Sequence, residues 1–230
     1  MMSSDLDFAE GPIDLSGFDV VELIEEILED ENKKPWTRAT GLYHPSSIGP
    51  KACQRALYYD RIGEKPNPKI PPSLGMLFGL GHAVHDVIQG KLSRHEGFAS
   101  EIPLKSETHN LIGHCDGVFS KEGWVLEIKT IGEASFRTLV KPKEEHVWQT
   151  HCYMYCTNTP RTQLLYVNRN TGAMRNFKVK FDQEIWNNIV GLINTVEEHV
   201  ISEDPAPRTV NKFFCKSCKF LERCDPFSTR

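Results

Sequence analysis

The sequence predicts an α/β fold, a mixed central sheet with helices packed against it. Strand-like stretches follow one another at about 98–105, 110–119 and 124–131. A helical stretch, 133–157, separates them from a hairpin at 163–169 and 173–181, and long helical patterns at 73–94 and 182–202 bracket the block. Helices before, between and after the strands put the chain in the α/β class rather than among all-helical or all-β folds.

Each element has its own signal. In FDVVELIEEILEDE (18–31), Val21, Ile24, Ile27 and Leu28 share one helical face and acids fill the other. SSIGPKACQRALYYDRIG carries Ser caps and an early Pro50, with Ala52, Ala56 and Tyr59 at helical spacing, so a helix is expected near 47–62. The Pro-rich EKPNPKIPPS then connects to the helix holding GLGHAVHDVIQGKL. SKEG (120–123) returns one strand onto the next, Pro142 divides the 133–157 helix in two, and Asn170-Thr171-Gly172 turns the hairpin. The glycines of GMLFGLGH follow no strand, so they are read as close helix packing rather than a dinucleotide loop.

With 230 residues the chain can bury one substantial core. No apolar run approaches the ~18 residues of a membrane span, and MMSSDLDFAEG lacks the basic and apolar regions of a secretory signal. A cytoplasmic protein without membrane contact is expected. The net charge of −4 hides an asymmetry: residues 1–31 hold eleven acids and no Lys or Arg, while the rest carries all 27 bases against 20 acids. An acidic extension over 1–31 (a tail, 1–16, and the amphipathic helix) therefore precedes a single domain, 32–230, positive enough to suit a polyanion.

The strand WVLEIKT is apolar except for Glu127 and Lys129, which alternation puts on one face, opposite Leu126 and Ile128. The tight return at 120–123 brings Asp116 across the ladder from Glu127. Two carboxylates held together in a partly buried place repel unless a cation compensates them, and Mg²⁺ or Mn²⁺ fits oxygen ligands of this kind. A lysine beside that cation can orient a water or stabilise charge as a phosphodiester is attacked. On these three residues alone, an exposed strand end with a surface ion pair stays open.

The seven cysteines fall into two groups. Cys115, Cys152 and Cys156 lie in apolar segments, as small hydrophobes do. Cys215, Cys218 and Cys224 form a compact group in basic surroundings, and Cys53, 162 residues before Cys215, supplies a fourth thiol. Four thiolates suit zinc or an iron–sulfur cluster. A zinc enzyme built on His82 and His85 finds no acid-rich motif nearby.

GHCDGV and WVLEIKT together resemble the active-site signature of the PD-(D/E)XK nuclease superfamily, with Asp116, Glu127 and Lys129 on the motif positions and Cys115 in place of the Pro. Gly81-His82-Ala83-Val84-His85 resembles the helical motif of the RecB-like branch, which makes His85 the implied additional metal ligand and His82 its substitute. Gln149 and Tyr153 match the Gln and Tyr that border the cleft in that branch and contact DNA or the lysine. SSIGPKACQRALYY and FFCKSCKFLERCDP resemble the flanks of the iron–sulfur nucleases related to the CRISPR-associated exonuclease family, across roughly 45–226. The resemblance implies a restriction-endonuclease-like fold and a 4Fe–4S cluster on Cys53, Cys215, Cys218 and Cys224, joining the N- and C-terminal segments. It also implies Mn²⁺ or Mg²⁺ on His85, Asp116, Glu127 and the Ile128 carbonyl.

The implied activity is a DNA exonuclease at single-stranded ends, serving recombination, repair or CRISPR spacer processing, with protein partners from those processes. A positive collar of Lys51, Arg55, Lys212, Lys216, Lys219 and Arg223 would guide the strand. The rival reading is a catalytically inactive cysteine-cluster module that binds DNA or adapts other proteins.

Overall fold

Five strands make one sheet in the order β1-β2-β3-β4-β5: Phe98–Ser106, Leu111–Phe119, Trp124–Ile131, Arg161–Asn168 and Met174–Lys180. The computed structural model describes residues 19–32, 38–68, 70–209, 212–216 and 218–224; the expected acidic tail, 1–16, lies outside them. All neighbouring strands are antiparallel except β3 and β4. That parallel pair needs a crossover, and the chain supplies two helices for it, α4 (Glu133–Arg137) and α5 (Glu144–Thr157). The five-stranded mixed sheet and its flanking helices bear out the expected class.

The helices α1 (Val20–Asn32), α2 (Gln54–Arg61) and α3 (Pro72–Leu92) precede the sheet, and α6 (Gln183–Ile201), α7 (Lys212–Lys216) and α8 (Leu221–Cys224) follow it. The two faces of β3 are covered by different helices. Leu126 and Ile128 pack with Val84 and Ile88 of α3, whereas Val125 packs with Cys115 and with Tyr153 of α5. At about 1.5–3 kcal/mol per fully buried aliphatic side chain, these contacts hold the strand that must also carry Glu127 and Lys129.

The helix expected over 47–62 is shorter. Only 54–61 is α-helical, after a 3-10 turn at Pro45–Ser47. Pro50 disfavours helical backbone at Gly49, so the helix starts at Cys53, whose extended backbone (φ −77°, ψ 114°) makes it the N-cap. At α6 the cap is chemical, with Asp182 accepting from the backbone N–H of Glu184 and Ile185.

Helix α1 rests on α3, and Leu28 lies against Gly75. The rest of its expected apolar face is open to solvent, with Val21 58%, Ile24 39% and Ile27 52% exposed. Among the described residues, no helix is long and apolar enough to cross a membrane.

Candidate active site

The site forms where two strands part. Pairing of β2 with β3 runs from Phe119↔Trp124 to Gly117↔Leu126 and stops there, just short of Asp116 and Glu127. Beyond it, side chains replace the ladder: the Asp116 carboxylate accepts the Ile128 N–H at 2.5 Å, and the Gln89 amide of α3 donates to the Asp116 carbonyl at 2.9 Å. A bare peptide group at such a fork would be costly, so these substitutes hold the opening in shape. Gly117 is required beside it, because a Cβ there would stand 2.5 Å from the Phe98 ring.

His85, on α3, reaches Asp116 at 3.3 Å. Burial pulls the His85 pKa down, but the hydrogen bond and charge of Asp116, with Glu127 behind it, push harder and raise it overall. His82 is exposed on the same helix. Of the two histidines expected from the sequence, His85 is the one that meets the carboxylates.

Glu127 is 2% exposed, so the surface-ion-pair reading of this strand is wrong. Burial lifts its pKa to about 7, against the opposing pull of Lys129. Lys129 Nζ lies 2.5 Å from the Glu127 carboxylate and donates to Gln149 Oε1 at 2.8 Å. The Gln149 amide then donates to the Tyr153 hydroxyl, one helical turn on. Burial, and then the Glu127 charge, keep the Tyr153 pKa well above its ordinary value. Two hydrogen-bonded sets thus meet at the fork, His85 with Asp116 on one side and Glu127, Lys129, Gln149 and Tyr153 on the other.

Among the described residues, no three His, Cys, Asp or Glu side chains are drawn tightly enough together to hold a metal ion. The expected ligand sets are therefore not in coordinating geometry. Asp116 is turned to the Ile128 N–H and to His85, and Glu127 to Lys129, each carboxylate satisfied by a donor of its own. The donor chemistry still suits a hard divalent cation, with two carboxylates and an imidazole around one fork. Ile128 directs its N–H toward Asp116, so its carbonyl, on the same edge of β3, also faces that fork.

The other expected cluster lies at the far end of α2. Cys53, Cys215, Cys218 and Cys224 all line one cavity of about 460 Å³. The Thr209 peptide links two of them, its N–H donating to Cys53 Sγ at 3.4 Å and its carbonyl accepting from Cys215 Sγ at 3.5 Å. Burial raises the Cys218 pKa first, and the nearness of Cys53, Cys224 and Cys215 adds to the rise. Among the described residues these four side chains, like the carboxylates of the fork, are not gathered into a group that could hold a metal ion, so the expected four-cysteine cluster is not formed here. Cys115 and Cys152 are fully buried, and burial pushes the Cys115 thiol up to about 12.

The expected basic collar is partly neutralised. Lys219 pairs with Asp60 at 2.5 Å and Arg223 with Glu64 at 3.3 Å, and Arg55 is spent on the carbonyls of Pro205 and Ala206. Lys51 and Lys216 are exposed, and the Lys212 side chain falls outside the described residues.

Four participants escaped the sequence reading. Gln89 and His146 sit at helical spacing from His85 and Gln149, a signal that was available. Tyr166 is the cross-strand partner of Lys129, visible only once the β3–β4 register is known. Glu101 stands opposite Asp116 with φ 52° and accepts from Gln89 at 2.7 Å; nothing in the sequence marks that backbone.

No protein-family model and no curated protein sequence matches the chain. Solved structures do. The crystal structure of SSO0001 superposes with a TM-score of 0.58 at 17% identity, over 92% of this chain and 99% of that one. An alkaline exonuclease from Laribacter hongkongensis gives 0.55 at 15% identity, over 71% of this chain and 90% of its own, and its complex with dAMP gives 0.56. The chain shares its fold with a solved exonuclease. At these identities the likeness is one of fold.

Proposed function

We propose that the chain is a divalent-metal-dependent deoxyribonuclease, an exonuclease that hydrolyses phosphodiester bonds at single-stranded DNA ends. The observation that carries this reading is the fork itself, where two carboxylates, a histidine and a lysine converge as the β2–β3 ladder ends. Fold likeness to an exonuclease, one of whose structures holds a nucleotide, supports it.

Asp116, Glu127, His85 and the Ile128 carbonyl would hold Mg²⁺ or Mn²⁺, which when bound lowers the pKa of a water and offsets charge on the phosphate. Lys129, held by Gln149, which in turn meets Tyr153, would orient the attacking water and stabilise charge as it develops. The cysteine cavity would take a 4Fe–4S cluster, whose work is to fasten the start of the domain to its end. Recombination, repair or CRISPR spacer processing are the settings such a nuclease suits.

The decisive experiment is degradation of end-labelled DNA with Mg²⁺ or Mn²⁺. Asp116→Ala, Glu127→Ala and Lys129→Ala should each cost roughly 10²–10³-fold or more while the circular-dichroism spectrum is unchanged. Undiminished activity in Glu127→Ala would reject the mechanism, and a wild type inert on every DNA tested would favour the adaptor reading. His85→Ala should harm more than His82→Ala.

A further inference from the structure

We propose that His146 is a DNA-phosphate ligand of this site, donating from Nε2–H to a non-bridging oxygen beside Lys129, with Tyr166 fixing the tautomer that can do so. The inference rests on the nuclease reading and adds to it a contact that the sequence motifs do not contain.

Placement comes from register. In the parallel β3–β4 pair Tyr166 is the partner of Lys129, so both side chains rise from the same face of the sheet. On the helix above them, His146, Gln149 and Tyr153 are spaced i, i+3 and i+7 and share one side of α5. Gln149 takes the Lys129 ammonium. One turn earlier, His146 Nδ1 meets the Tyr166 hydroxyl at 2.8 Å. The same helix face thus serves both strand residues.

The tautomer follows from counting protons. The Tyr166 oxygen already accepts the backbone N–H of Lys143 at 3.0 Å, and Tyr166 is fully buried. Its single O–H needs an acceptor, and His146 Nδ1 is the one within reach among the described residues. If Nδ1 carried a proton instead, the phenol hydrogen would be buried without a partner and its desolvation left uncompensated. Nδ1 therefore accepts, and the ring proton sits on Nε2.

The ring is also uncharged. Burial lowers the His146 pKa, and the ammonium groups of Lys129 and Lys143 lower it further, to about 3. Such a group is neither an acid nor a base at neutral pH. It is a fixed neutral donor flanked by two cations, and Nε2–H has no protein partner among the described residues. Lys129 already holds Glu127 and Gln149, so the open donor is Nε2–H, and an anionic oxygen would satisfy it in a field that two ammonium groups make positive. Among the described residues no protein carboxylate accepts from Nε2–H, although the Glu145 charge is felt at Tyr166.

Three measurements test this. Kinetics on single-stranded DNA should show His146→Ala raising KM about tenfold with kcat changed less than about threefold, and His146→Gln, whose amide can donate, recovering most of the loss. DNA affinity by fluorescence anisotropy in EDTA should fall by the same factor in His146→Ala. Imidazole ¹⁵N spectra should show the Nε2–H tautomer in the wild type and a mixture in Tyr166→Phe. An Nδ1–H tautomer in the wild type overturns the proposal. So do unchanged KM and affinity in both His146 variants, in which case wild-type cleavage leaves the nuclease reading standing. If the wild type cleaves nothing while His146→Ala still weakens binding, the nuclease reading falls and the phosphate contact survives.

Discussion

Glu127 lies 11 positions after Asp116, whereas Cys215 lies 162 positions after Cys53. The β2–β3 fork gathers its side chains through a tight return and a strand register, so its geometry is nearly local. The cysteine end is gathered by tertiary packing: the Phe220 ring against Tyr59 at 5.4 Å, Lys219 on Asp60, Arg223 on Glu64. At the fork Asp116, Glu127 and Lys129 each have a protein partner, and the hydrophobic strand around them supplies the stability. At the cysteine end the ends of the domain must first meet. A covalent or metal link gains most where it closes a long loop, so a cluster there has more to contribute to folding than one at the fork.

The sharpest way to break that contrast is at Cys218. With a cluster present, Cys218→Ser should bleach the brown anaerobic protein and cost about 2–5 kcal/mol of stability, the range for losing a long-range cross-link. Cys156→Ser, in the half-buried thiol outside the cavity, should leave the colour intact. Metal analysis and denaturant titration of the two variants read the difference. Stoichiometric zinc without acid-labile sulfide would keep the staple and replace the cluster.

The same contrast explains what was legible beforehand. Strands, helices and the fork residues were readable because alternation and short spacing determine them: the strand expected over 124–131 is β3, and the helix break at Pro142 falls between α4 and α5. The start of α2 was misread because Gly49-Pro50 outweighs the Ser caps before it. The basic collar was only partly legible, for a different reason. Charge along a sequence says nothing about partners brought from elsewhere, and Asp60 and Glu64 cancel Lys219 and Arg223 from 159 residues away. Tyr166 and the strained Glu101 depend on register and backbone that no local pattern encodes.

A second, smaller effect separates stability from chemistry at the fork. Glu127 has a folded pKa of about 7 against 4.5 for an unperturbed glutamate, because burial penalises its charge. An acid with a raised folded pKa destabilises the fold once it must ionise. The penalty is full above pH 7, shrinks as pH falls toward 4.5 and is absent below it. Glu127→Gln keeps the shape and an acceptor for Lys129 without the charge. In metal-free protein it should therefore stabilise by about 1–3 kcal/mol at pH 8, with the gap to wild type closing by about pH 4.5. Thermal melts across that range test it, and a destabilised variant at pH 8 would show that the Lys129 pair outweighs the burial cost. At the cysteine end no such gain is expected, since its thiols face a cavity rather than a packed strand.

The smallest effect concerns the collar. Lys51 and Lys216 are exposed, while Lys219 holds a carboxylate that is itself only 11% exposed. Removing an exposed cation near a DNA path reduces counterion release, so Lys51→Ala and Lys216→Ala should each lower affinity by a few-fold. Each should also reduce the slope of log affinity against log salt by about one unit. Lys219→Ala should do the opposite: the slope stays, because Asp60 already neutralises that charge, and stability falls because a mostly buried carboxylate loses its partner. Binding titrations at several salt concentrations, alongside melts, distinguish the two behaviours. If Lys219→Ala changes the salt slope as much as Lys51→Ala does, the ion pair opens when DNA binds, and the cysteine end is a nucleic-acid surface as well as a fastening.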